Sequence, residues 1–166
     1  MIGKEEMLDD WLDHAGDPWI RDFNDMIRNI IFADPILMQL MKIPDKTSVI
    51  EFIDRYFIRA GYTNTILSNE SVRIVYGTFG VPSNNPDVSK NILSFDIYVK
   101  NEDMHNVGRD RLQLRTQLIA RRLTQLLTDK RYNGVYRFYE PHESDMGTSA
   151  IGYARYNLSM SFMRTH

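Results

Sequence analysis

Leu93-Ser94-Phe95-Asp96-Ile97-Tyr98-Val99 alternates apolar and polar side chains without a break. Near the end of the chain, Arg155-Tyr156-Asn157-Leu158-Ser159-Met160-Ser161-Phe162 does the same. A period of two marks strands of a sheet with one buried and one wet face. Between them, the spacing predicts a helix from Arg109 through Leu127. Its stripe is Leu112, Ile119, Leu123, Leu126 and Leu127, with Leu118 beside it, and it should pack on the buried face of the sheet. A further strand is expected at Val135 to Glu140, joined to the strand Tyr153 to Met163 by an irregular stretch from Pro141 to Ser149. Ser71 to Gly77, with Val72, Ile74 and Tyr76 on one side, reads as the first strand.

The N-terminal third reads as helical. Met7, Leu8, Trp11 and Leu12 form a short apolar stripe on an acidic segment. Asp17-Pro18 and Asp34-Pro35 are both start signals, an N-cap followed by a proline at the first helical position. The first leads a helix with the face Ile20, Phe23, Ile27, Ile30 and Ile31, the second a short helix through Met41. Ser48 and Glu51 have capping-box spacing, and the helix they open is expected to carry Ile50, Ile53, Phe57 and Ile58 and to end at Gly61. Trp11 and Trp19 suit either core or interface. The fold class is therefore α+β: a helical N-terminal region followed by a mainly antiparallel sheet with one long α-helix packed on it. One domain is expected over 1–166, with residues 1–62 helical and 63–166 forming the α+β core.

The chain has 166 residues, enough for one real core. Its net charge of -2 argues against a surface built as a whole to bind nucleic acid. The absence of cysteine excludes disulfides, thiolate metal sites and thiol nucleophiles. The acidic start is no signal peptide, and no apolar run approaches membrane-spanning length, so a soluble protein is expected.

Candidate chemistry is sparse. His14, His105, His142 and His166 are scattered, and His142, Glu143 and Asp145 are too close in sequence to converge easily on one ion. Asp96 and Lys100 share a strand, as in nucleases that hold a divalent metal with acids and a lysine. Tyr98 stands where the second acid would be. Gly77 and Gly80 lack the lysine and helix start of a phosphate loop, and no serine lies in a nucleophile elbow. No catalytic residue, cofactor or metal is expected.

Two features suit contacts with other proteins. Charge is segregated: from Met1 to Asp25 acids dominate, and from Arg109 to Arg131 bases do. Arg111, Arg115 and Arg122, spaced by four and seven, are expected to share an exposed helix face that pairs with a neighbouring subunit or lines a channel; simple solvation is the bland alternative. The segment Gly80 to Asn91, with Pro82, Asn84, Asn85 and Pro86, is expected to be a surface loop able to dock on a partner.

The order strand, helix, strand, strand after a helical lead-in resembles the tail terminator and neck proteins of tailed bacteriophages. The residues that carry the resemblance are Ile92 to Val99, Arg115 to Leu123 and Tyr153 to Phe162. Asp34-Pro35-Ile36-Leu37-Met38-Gln39-Leu40-Met41 is similar to a segment of phage neck proteins. The helical residues 1–62 depart from the compact tail-terminator pattern.

The resemblance implies a structural, non-enzymatic virion protein assembled in the host cytoplasm. It implies a homo-oligomeric ring, a hexamer on the family pattern, at the head-tail junction. Such a ring caps the tail tube and meets a head connector or head-closure protein, and DNA passes its lumen without sequence-specific binding. It implies no membrane partner. A head-closure or connector-joining ring, and more distantly a small metal-dependent nuclease, remain the alternatives.

Overall fold

The computed structural model describes residues 6–8, 18–60, 70–81, 88–105, 107–109, 112–128, 130–150 and 152–165. Helix α1 spans Pro18–Phe32, and Phe23, Ile27 and Ile31 repeat every four residues and are buried. Helix α2, Pro35–Leu40, starts as its sequence dictates: Asp34 is extended, its carboxylate accepts the Leu37 N–H at 2.7 Å, and Pro35 opens the helix. The expected capping box is also present, with the Ser48 hydroxyl accepting from Glu51 N–H and the Glu51 carboxylate accepting from Ser48 N–H.

That third helix does not run to Ile58. Helix α3 covers only Val49–Glu51, widens into a π turn at Phe52–Tyr56 and passes into strand β1, Phe57–Arg59. The cause is tertiary. Phe57 stacks between Phe52, with ring centroids 5.6 Å apart, and Tyr76 at 4.4 Å, both nearly parallel to it. Burying three rings in one stack outweighs one more turn of helix. Ile50, expected on the apolar side, is left exposed, and Gly61 lies outside the described residues. The stretch expected to be wholly helical thus lends a strand to the sheet.

The remaining strands are β2 (Val72–Val81), β3 (Val88–Lys100), β4 (Arg131–Tyr132), β5 (Tyr136–Ala150) and β6 (Tyr153–Thr165). Helix α4 is Arg115–Leu127. The sheet order is β1-β2-β3-β6-β5-β4, with β1 parallel to β2 and every other pair antiparallel. The α+β class holds.

Three boundaries differ from those expected. Strand β2 continues past Gly77, pairing Gly80 with Asn91 and Val81 with Lys90, so both ends of the segment Gly80 to Asn91 are strand. Pro82, Asn84, Asn85 and Pro86 lie outside the described residues. The stretch Pro141 to Ser149 is strand, because β6 offers a continuous partner; its turn-forming residues are absorbed as register shifts, with Glu140 and Gly147 at positive φ. Helix α4 starts at Arg115, so Leu112, 95% exposed, never joins its stripe.

One apolar cluster joins the helices to one face of the sheet. Leu93, Phe95, Ile97, Val99, Leu158, Met160 and Phe162 meet Ile119, Leu123 and Leu127 of α4 and the buried side of α1. Phe23 stacks on Phe162 at 4.7 Å and meets Tyr136 edge-on at 5.3 Å. Trp19 is half-buried against Phe23, a core-rim position.

Candidate assembly surface

Two of the three arginines expected to share an exposed face, Arg115 and Arg122, are committed within the chain. Arg111 lies outside the described residues. Arg115 is buried at the start of α4; its Nε donates to the Asp103 carbonyl at 2.7 Å and its Nη1 to the Leu40 carbonyl at 2.8 Å. It thereby ties α4 to the end of α2 and to the 3-10 turn Asn101–Asp103 that follows β3. Burial lowers its pKa, with the nearby Asp103 acting in the opposite sense.

Arg122 makes a two-pronged contact with Asp34, Nε to Oδ1 at 3.1 Å and Nη2 to Oδ2 at 2.5 Å. The same carboxylate caps α2. Hydrogen bonding from Arg122 holds the Asp34 carboxyl below the usual carboxylate range; burial opposes this and the Leu37 N–H adds to it. The spacing of seven does put Arg115 and Arg122 on one side of the helix, as expected. That side faces α2, whose Leu40 carbonyl and cap carboxylate accept guanidinium protons. The exposed arginine of α4 is Arg121, which donates to Gln113.

Pairing across the strands fixes what the other sheet face presents. All the described helices that join the core pack on the inner face, and among the described residues nothing comparable covers the outer one. Its first half is polar. Asp96 accepts from Arg155 Nη2 and from Asn157 Nδ2, each at 2.9 Å; Asn157 also donates to Ser94; and the Arg155 guanidinium sits 5.9 Å from the Tyr98 ring centre. Both oxygens of the Asp96 carboxylate are therefore engaged within the chain, one by Arg155 and one by Asn157. His142 shares the outer face with Ser159, whereas Glu143 and Asp145 pair with Leu158 and Tyr156 on the inner parity, so the three cannot converge.

The other half of the outer face is apolar and basic. One row across the strands is Phe79, Ile92, Ser161 and Tyr139; the next is Val81, Lys90, Met163, Arg137 and Arg131. Phe79 is 59% and Met163 37% exposed, and the Lys90 ammonium lies 6.0 Å from the Tyr139 ring centre. Among the described residues, Lys90, Arg131 and Arg137 form no ion pair. Sequence reading passed over this patch because it followed the inward parity of each strand. Its signal was nonetheless present: Phe79, Ile92 and Met163 are large apolar side chains on the wet parity.

The edges are unequal as well. Strand β1 covers β2 only from Ile74 to Tyr76, and β4 covers β5 only at Tyr136 and Arg137. Beyond that, β5 carries Pro141 and three register shifts. A buried carboxylate that sequence reading missed, Glu70, braces the β1 side: Arg55 Nε donates to it at 2.8 Å and Arg73 lies 3.9 Å away.

The YomW family matches residues 18–162, from the first residue of α1 to within the last strand. The chain belongs to that family. The name YomW comes from a Bacillus phage-like gene region and suggests a phage-associated protein. The matched residues take in the helical region together with the sheet, so the helices that line the inner face are part of the family's own extent. A search of curated proteins finds no match.

Proposed function

We propose that this protein is a structural component of a phage-like particle, a tail terminator or neck protein that works as a ring at the head-tail junction. In this reading copies of the chain close into a homo-oligomer, six on the pattern of the proteins it resembles. The ring caps the tail tube, meets a head connector or head-closure protein and lets DNA through its lumen. The observation that carries the reading is the outer sheet face, polar in one half and apolar with three bases in the other, on a chain of a phage-associated family. A protein that must seat between unlike neighbours needs such a two-part surface, and contact through a face leaves strand edges out of the joint.

An enzymatic role finds less support, since Asp96 is held by Arg155 and Asn157. A head-closure or connector-joining ring is the second reading. It draws on α1 and α2, which are built into the core beside the sheet and enlarge the chain beyond a bare terminator.

Co-expression with the tail tube and head-connector proteins of the same particle, followed by electron microscopy and mass measurement, tests both. A ring bound at the end of tubes supports the terminator. A ring retained on the connector and absent from tubes supports the second reading. A single copy per particle, or an enclosed dimer, overturns the ring.

A further inference from the structure

The turn between β4 and β5 is set by local rules. Asn133 and Gly134 both take positive φ, and the Val135 N–H donates to the Tyr132 carbonyl at 3.1 Å. Tyr132 is held firmly there: its hydroxyl donates to the Leu126 carbonyl of α4, and its ring meets Phe138 edge-on at 6.2 Å. Across from this turn lies α1, and between the two is an open cleft of about 400 Å³. Met26, Ile30 and Tyr132 supply its apolar lining, and Asp22, Asp25 and Asn29, exposed and spaced by three and four along α1, supply its polar side. Among the described residues Asp22 and Asp25 form no ion pair, and the α1 bases Arg21 and Arg28 do not line the cleft.

At the other margin of the same sheet end the outer face has the opposite character. Phe79 is exposed there, with Ile92 half-buried across from it and the pair Val81 and Lys90 in the next row. Strand β1 stops short of Phe79, pairing with β2 only from Ile74 to Tyr76. Phe79 cannot reach the cleft of its own chain. Strands β3, β6 and β5 separate β2 from β4, about 19 Å at ~4.8 Å per strand step. Phe79 also faces outward, whereas the cleft lies on the helix side of the sheet.

We propose that Phe79 and Lys90 of one copy dock in the cleft between α1 and β4 of a second copy. The Phe79 ring packs on Met26, Ile30 and Tyr132, and the Lys90 ammonium meets Asp22 and Asp25. Charge complementarity selects this occupant: the cleft is acidic beside an apolar lining, and the β2–β3 end is basic beside an exposed ring. A second groove, lined by Phe32, Pro35, Met38 and Ile43, carries the single acid Asp45 and matches less well. The contact joins two different surfaces on opposite faces, so each copy gives one and receives one, and the series ends when it closes. The inference rests on the reading of the chain as a ring subunit and names the joint between copies. It leaves the polar half of the outer face to unlike neighbours.

The natural absence of cysteine makes the test direct. Full-length Asn29→Cys and Val81→Cys proteins, carrying different tags, each hold one thiol. They are mixed, alone and with the tail tube and connector proteins, and treated with a short bis-maleimide. A covalent heterodimer is expected. Phe79→Ser on the second chain should reduce it about tenfold or more. Asp22→Lys with Asp25→Lys on the first chain should do the same, and adding Lys90→Glu to the second should recover much of the link, which misfolding could not do. A link indifferent to these charge changes overturns the pairing. Gln39→Cys, in the second groove, should link to Val81→Cys far less than Asn29→Cys does; stronger linking there overturns the inference in favour of that groove. No link while rings still assemble overturns it and leaves the ring standing; no link and no ring overturns both.

Discussion

The inner and outer faces of this sheet are made by alternate residues of the same strands, yet they are different materials. On the inner face Phe95, Ile97, Leu158, Met160 and Phe162 are fully or nearly fully buried under α1 and α4. On the outer face Ser94, Asp96, Arg155 and Asn157 form a hydrogen-bonded lattice that grades into Phe79, Ile92 and Met163. Both faces contain large apolar side chains. Helices cover one set; among the described residues the other set stays open, beside bases that form no ion pair there. The difference separates what folds the chain from what the chain offers to others, and substitutions of neighbouring residues can test that separation.

The largest effect is expected from Phe162→Ala. It removes a ring stacked on Phe23 and touching Phe138, and should cost about 3–5 kcal/mol by denaturant unfolding. Met163→Ala, one residue away and facing outward, should cost less than about 1 kcal/mol. Equal losses would erase the contrast between the faces.

Arg122→Ala comes next, at about 2–3 kcal/mol, because it strips the guanidinium from a buried carboxylate that also caps α2. The sign of its pH dependence follows from Asp34. Its folded pKa lies below the unfolded value, so the stabilisation is present above about pH 4 and is lost as pH falls through the folded value. Wild type and variant should therefore converge in stability on acidification below about pH 4. A gap that persists at low pH would show that packing of the arginine stem, and not its charge, is what matters.

On the outer face, Arg155→Met should cost only about 0.5–1 kcal/mol, since the pair with Asp96 is part-exposed. The smallest stability effect is expected for Phe79→Ser, within about 0.5 kcal/mol. Its effect on assembly should be the largest of the five, read as loss of ring or partner binding in native mass measurement. An unchanged assembly would reduce Phe79 to an incidental exposed ring.

What could be read from the sequence divides along similar lines. Signals carried within a few residues were legible: the parity of β3 and β6, the Asp34-Pro35 start, the Ser48–Glu51 box and the stripe of α1. Features set by distant partners were not. Phe57 leaves a helical pattern because its ring is wanted between Phe52 and Tyr76. The stretch from Pro141 stays extended because β6 runs beside it. Arg115 and Arg122 looked like free surface charge because nothing in their spacing reveals that α2 lies against them, 75 and 88 residues earlier in the chain. The outer patch lay between these cases: its residues were visible, but adding Phe79, Ile92, Tyr139 and Met163 into one surface required the register.

The broken register of β5 has a consequence for numbers of copies. A smooth outermost strand would accept another chain, and that chain the next, giving threads of unlimited length. Glu140 at positive φ, Pro141 and Gly147 spoil that template along one side of the sheet. Copies can then accumulate at high concentration without polymerising through this side. A contact that fixes the number of copies then has to lie elsewhere on the molecule.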